Sequence, residues 1–140
     1  MNTPHELVTL WRLEHDETGM GPYCWPPDTL SDEAYILTEE LYRSHKRSEK
    51  HPPIGIEIPD FSKGIDICAC SSFEQLVDWF GKTRIGDFSK LPEEEYVVAV
   101  YTVPNTHVKY GSNQCAFNKW AAISRAKVPG KEIRKLLKQC

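Results

Sequence analysis

The stretch YVVAVYTV, Tyr96 to Val103, constrains the fold of this chain more than any other segment. Valine and threonine branch at Cβ, which crowds a helical turn but packs well on a pleated surface, so the run reads as a strand that Pro104 closes. A second strand falls on Leu7 to His15, where Leu7, Trp11 and Leu13 share one face and Val8, Leu10 and Arg12 the other. Apolar residues on both faces predict burial on both sides. A buried arginine then needs something to replace its lost water. Arg12 either pairs with Asp16 or another carboxylate, or holds a ligand.

Ser31 is placed to cap a helix running to about Lys50, with Asp32 and Glu33 in its first turn and Lys46, Arg47 and Lys50 near its end, matching the helix dipole. Ala34, Leu37 and Leu41 form its apolar stripe. In IGIEIPDF the isoleucines 54, 56 and 58 alternate with Gly55 and Glu57, which predicts a short edge strand ended by Pro59. Ile65 to Cys70 reads as another short strand. SSFEQLVDWFG is the clearest helix: Ser71 and Glu74 have capping-box spacing, Phe73, Leu76, Val77 and Phe80 lie at i, i+3, i+4 and i+7, and Gly81 ends it. Phe73, Trp79 and Phe80 are assigned to the core.

A polar loop then leads to Tyr96. Gln114 to Phe117 and Ala122 to Val128 are further strands. PGKEIRKLLKQC is a basic helix at about 129–140 whose Ile133, Leu136, Leu137 and Cys140 share a face. The order lacks a β-α-β rhythm and a phosphate-loop glycine pattern. This predicts one α+β domain over residues 1–140, mainly antiparallel split sheets with flanking helices.

With 140 residues the chain can bury a core without metal or disulfide. Its formal charge of -3 argues against a nucleic-acid-binding domain, although the basic end beside Tyr110 and Trp120 has some of the expected residue types. Cys24, Cys68, Cys70, Cys115 and Cys140 form an odd set without framework or zinc spacing. Cys68 and Cys70 nevertheless share a strand face, and Cys24 lies in a loop rich in glycine and proline, with His15 upstream. The beginning of the sequence lacks a basic region followed by an apolar core, and no apolar run has the length of a membrane span. The expectation is a cytoplasmic protein with reduced thiols, no metal site and no membrane contact.

A distributed set of residues carries a further reading: Arg12 in TLWRLEH, Gly19 and Gly21 in the loop ETGMGPY that ends at Tyr23, Ser71 and Ser72 after a strand, and Gln114 opening QCAFNKWAAIS. In this order the chain resembles the ADP-ribosyltransferase superfamily, particularly its small divergent members. The resemblance implies a fold of that type and NAD or an ADP-ribose-derived nucleotide as ligand. Arg12 would hold a phosphate or ribose, Tyr23 or Trp25 would stack beside Gly21, and Ser71 or Ser72 would contact the nicotinamide ribose. Gln114 stands where the family carries a catalytic glutamate. An amide can hydrogen-bond a ribose hydroxyl but supplies no charge to a developing cation, so a binder or a slowed transferase is implied, unless Glu14 or Glu57 takes over.

Each of these residues also has a plain structural role available: a helix cap for Ser71, loop packing for Tyr23 and Trp25, a strand-end amide for Gln114. GMGPY, SSFEQLVDWF and QCAF are similar as well to segments of small bacteriophage proteins. That likeness implies a host-takeover or anti-defence protein in the host cytosol, which as an alternative function inhibits a host or defence protein by occupying its surface.

Overall fold

A computed structural model of the chain describes residues 6–24 and 30–140. Trp25, Pro26 and Pro27 lie outside the described residues. Strand β1, Leu7–His15, pairs antiparallel with β3, Tyr96–Pro104, and β3 pairs antiparallel with β6, Ser124–Val128. The second sheet is also antiparallel, in the order β2 (Asp66–Ala69), β5 (Cys115–Asn118), β4 (Val108–Tyr110). The two sheets meet where Trp11 and Cys70 exchange backbone hydrogen bonds, both 2.7 Å. The molecule is thus α+β with split antiparallel sheets.

The strand alternation assigns the two faces of the first sheet. Leu10 and Val103 turn toward Ala69, Cys115 and Phe117 of the second sheet, forming a small core between the sheets. Leu13, Tyr96 and Val98 turn the other way, onto the helices. These are α1 (Asp32–His45), α3 (Phe73–Phe80), α4 (Lys82–Ser89) and α5 (Gly130–Leu137), with a single turn, α2, at Ile54–Glu57. Phe73, Trp79 and Phe80 are buried in this larger core, as the periodicity predicts. No described helix is long and apolar enough to cross a membrane.

Several expectations are corrected. The isoleucine segment is a helical turn, not an edge strand: the amides of Ile56 and Glu57 both bond back to Pro53 O, and Ile58 is buried while Ile56 is exposed. Proline presets the backbone angle that a helix start needs. The loop after Gly81 contains α4, whose Ile85 and Phe88 are buried three residues apart within an otherwise polar sequence. Gly81, at φ 91°, ends α3 and also caps α4.

The cap of α3 is Ser72 rather than Ser71: Ser72 Oγ accepts from the Gln75 amide at 3.0 Å, and Gln75 Oε1 accepts from the Ser71 amide at 2.7 Å. Helix α1 stops at His45, short of Lys50. Strand β5 begins at Cys115, leaving Gln114 in the loop before it, and β6 begins at Ser124. Strand β4 is a three-residue strand, too short for an alternating pattern to mark it in the sequence. Cys140 lies beyond α5 and is exposed, so it does not join the apolar face of Ile133 and Leu137.

Candidate functional site

A cavity of about 260 Å³ opens beside the junction of the two sheets. Strand β1 contributes Trp11, Arg12 and Leu13, β2 contributes Asp66 to Ala69 and Cys70 follows, the glycine loop contributes Gly21 to Cys24, and α3 contributes Leu76, Trp79 and Phe80. Phe61 and Gln114 complete the wall. Of the residues singled out in the sequence, Arg12, Gly21, Tyr23 and Gln114 therefore come together. Ser71 and Ser72 do not line it; they serve the start of α3.

Arg12 is buried, and its guanidinium already has partners. Nε donates to Glu14 Oε1 at 2.8 Å, Nη1 to Cys68 O at 2.6 Å, and Nη2 to Gly19 O at 2.8 Å. The carboxylate that a buried arginine demands is Glu14, not Asp16. Burial by itself would lower the arginine pKa, but Cys68, Glu14 and the hydrogen bond to Glu14 outweigh it and hold the group above its ordinary value. Gly19 adopts φ 72°, a left-handed conformation that glycine enters without strain, and this aims its carbonyl at Arg12. At Gly21 the backbone passes over the guanidinium: a Cβ there would lie 3.5 Å from Arg12 Nη2. One side chain thus fixes β1, β2 and the glycine loop to each other.

Glu14 is completely buried in the sheet on the far side of Arg12. It also accepts from Tyr101 OH (2.7 and 2.6 Å) and from Arg125 Nε (2.7 Å). Asp16 continues the chain of charges with Arg125 and Lys127, each at 3.1 Å. The Tyr101 hydroxyl is pushed up to about 12 by burial first and then by its bond to Glu14.

Neither carboxylate considered as a substitute for the missing glutamate lines the cavity. Glu14 is absorbed in this network, and Glu57 accepts from the amides of Asn113 (2.7 Å) and Gln114 (2.9 Å), holding the turn before β5. The carboxylate in the cavity wall is Asp66, which sequence reasoning missed. It accepts from Lys109 Nζ at 2.7 Å and from the Ser62 amide at 2.9 Å. Despite the opposing effect of burial, these bonds hold its carboxyl below the usual range. The Gln114 side chain donates from Nε2 to Pro52 O at 3.2 Å; among the described residues nothing donates to its Oε1.

Tyr23 is anchored rather than free to swing. Its oxygen accepts from Trp79 Nε1 at 2.8 Å and therefore gives its own proton to His45 Nδ1 in a short hydrogen bond. That places the His45 proton on Nε2. His45 stacks on His51 with ring centroids 3.5 Å apart, and His51 Nε2 donates to Trp79 O at 2.6 Å. Burial first, then His51 and Arg84, push the His45 pKa down to about 4. This Tyr-His-His-Trp cluster joins α1, the glycine loop and α3, and no local motif marks it in the sequence.

Three cysteines, Cys24, Cys68 and Cys70, border the cavity, as the shared strand face of Cys68 and Cys70 allows. Among the described residues no group of three or more His, Cys, Asp or Glu side chains is arranged to hold a metal ion.

A family model described as "Bacteriophage T4 Y00F protein" matches residues 1–130. No curated protein and no solved structure matches the chain. With almost the whole sequence, both sheets and every cavity residue inside the matched span, the chain belongs to the bacteriophage T4 Y00F protein family.

Proposed function

We propose that this protein is an ADP-ribosyltransferase-like binder of NAD or an ADP-ribose-derived nucleotide that has lost efficient transfer chemistry. The observation that carries the reading is the convergence of Arg12, Gly21, Tyr23 and Gln114, which come from three separate parts of the sequence, on one cavity. Trp11, Tyr23, Phe61, Trp79 and Phe80 give that cavity aromatic walls suited to a planar ring. At about 260 Å³ it is at the small end of ligand pockets, usually ~300–1,000 Å³, so it accommodates the nicotinamide or base end while the rest of the nucleotide lies across the glycine loop. Gln114 Oε1 is the acceptor for a ligand N–H or hydroxyl. Arg12 acts here through the loop that it holds, since Glu14, Cys68 and Gly19 already occupy its guanidinium.

The neutral amide at 114 accounts for weak chemistry. Missing a preorganised group of this kind costs about 3–4 kcal/mol of transition-state stabilisation. Titration calorimetry with NAD, followed by mass analysis of the recovered nucleotide, tests the reading. NAD binds and is recovered intact, and Gln114→Glu gains measurable nicotinamide release. Absence of heat with both NAD and ADP-ribose would sink it.

A second reading, a protein that inhibits a host or defence protein by surface capture, draws on α1. That helix leaves Tyr35, Ile36 and Tyr42 about half exposed beside Glu33, Glu39 and Glu40. Charge reversal at Asp32, Glu33, Glu39 and Glu40 then reduces the partners captured from host lysate. An unchanged set would exclude α1 as the contact.

A further inference from the structure

We propose that β6 is a docking edge for an extended, acidic segment of another protein, which joins the first sheet as a further strand. Strand β6 ends that sheet and pairs only with β3, from Val98 opposite Val128 to Thr102 opposite Ser124. Successive residues of a strand turn their N–H and C=O groups to opposite sides, so alternate residues of β6 direct theirs outward. Ser124, Arg125, Ala126 and Lys127 are exposed, and no described strand pairs with that outer side. A lysine on an edge strand ordinarily guards it against pairing. Here the guard is turned inward. Arg125 Nε reaches back across β3 to Glu14 at 2.7 Å, and Lys127 Nζ to Asp16 at 3.1 Å, which leaves the outward backbone groups of β6 uncovered by them.

Charge and apolar exposure define the occupant. From Tyr96 to Lys131 the sequence contains no aspartate or glutamate. Arg12, Arg125 and Lys127 share only Glu14 and Asp16, and Lys119, just before β6, adds another cation, so a positive surplus stays along the edge. The segment leading into β6 also presents Trp120 and Ile123, 77% and 61% exposed, with Lys119 Nζ 4.9 Å from the centre of the Trp120 ring.

A strand laid along β6 therefore meets the cations Arg125 and Lys127 on one face and the small side chains of Ser124 and Ala126 on the other. Carboxylates at alternate positions complement the first face, and β-branched apolar side chains fill the second. A second copy of this chain does not meet those demands. Two β6 strands paired antiparallel about a two-fold axis would bring the cations of both copies onto one face, where like charges repel.

The test titrates the full-length chain with a fluorescein-labelled peptide of sequence EVEVEVEV, read by anisotropy, and follows amide hydrogen exchange by NMR with and without it. The peptide binds saturably, and alternate amides of β6 exchange more slowly in its presence. The same peptide N-methylated at every peptide bond keeps its carboxylates but has no backbone donor, and it binds at least about ten-fold more weakly. Lys127→Glu weakens the parent peptide about five-fold while the circular dichroism of the free protein is unchanged. Equal binding of the N-methylated peptide would reduce the attraction to charge alone and overturn the proposal. So would absence of peptide binding, protection that spares β6, preference for single-stranded oligothymidylate over the peptide, or a dimer that protects β6 without peptide. No residue of β6 lines the cavity and no nucleotide is present, so the outcome is independent of NAD binding.

Discussion

Glu14 carries the charge balance of the first sheet. Arg12 and Arg125 share its two oxygens from opposite sides, and Tyr101 bridges them. Taking one member from such a buried cluster leaves the others charged and unpaired, which typically costs about 3–5 kcal/mol. Glu14→Gln therefore lowers the unfolding free energy by roughly that amount in urea, whereas Asp16→Asn, at the exposed end of the same chain of charges, costs under about 1 kcal/mol. Equal losses for the two variants would mean that Glu14 is not the anchor of the network. Arg12 shows how far one residue is legible in sequence. An arginine within a doubly apolar strand announces that it has a partner. It does not say which one, because Glu14, the Cys68 carbonyl and the Gly19 carbonyl come together only when β1 meets β2 and the loop turns back.

Among the elements, legibility followed periodicity. Strands β1 and β3 and helix α3 have long, regular apolar patterns, and the fold places them where those patterns point. Helix α4 offers only Ile85 and Phe88 to the core, two apolar residues in a polar run, and its packing against α5 and β3 is a tertiary effect that no local window contains. The turn α2 misled for the opposite reason. Its isoleucines alternate like a strand, but the backbone follows Pro53, and Glu57 is drawn toward the amides before β5. The start of α3 offers a direct test, since two adjacent serines compete for one cap. Ser72→Ala costs ~1 kcal/mol of stability and Ser71→Ala a few tenths, because only Ser72 Oγ accepts a helix amide. Neither variant alters nucleotide affinity. If Ser71→Ala weakened NAD binding while Ser72→Ala did not, a ribose contact at 71 would be restored although Ser71 does not line the cavity.

At the level of the whole molecule, the His45 cluster ties loop, helix and cavity to pH. His45 is neutral in the fold with its pKa pushed down to about 4, while in the unfolded chain it titrates near 6.5. Between those values the unfolded chain binds more protons, so stability rises with pH across the window. The contribution, about 3 kcal/mol at most, is complete above about pH 6.5 and disappears as pH falls toward 4. Tyr23, His51, Trp79 and Phe80 face the ring, and Arg84 adds positive charge nearby. Protonating His45 would put a cation against the stacked His51 and remove the acceptor that Tyr23 needs. Asp16 and Asp66, whose carboxyls are held low by their cations, add losses only at more acidic pH. Urea midpoints measured from pH 7.5 to 4.5 therefore fall for the wild type between 6.5 and 4.5. In His45→Gln, whose amide oxygen still accepts from Tyr23, the fall is largely absent. Parallel decline in both proteins would place the titrating group elsewhere. A decline confined to the wild type would mean that the cavity wall formed by Tyr23 and Trp79 loosens together with the fold as His45 takes up its proton.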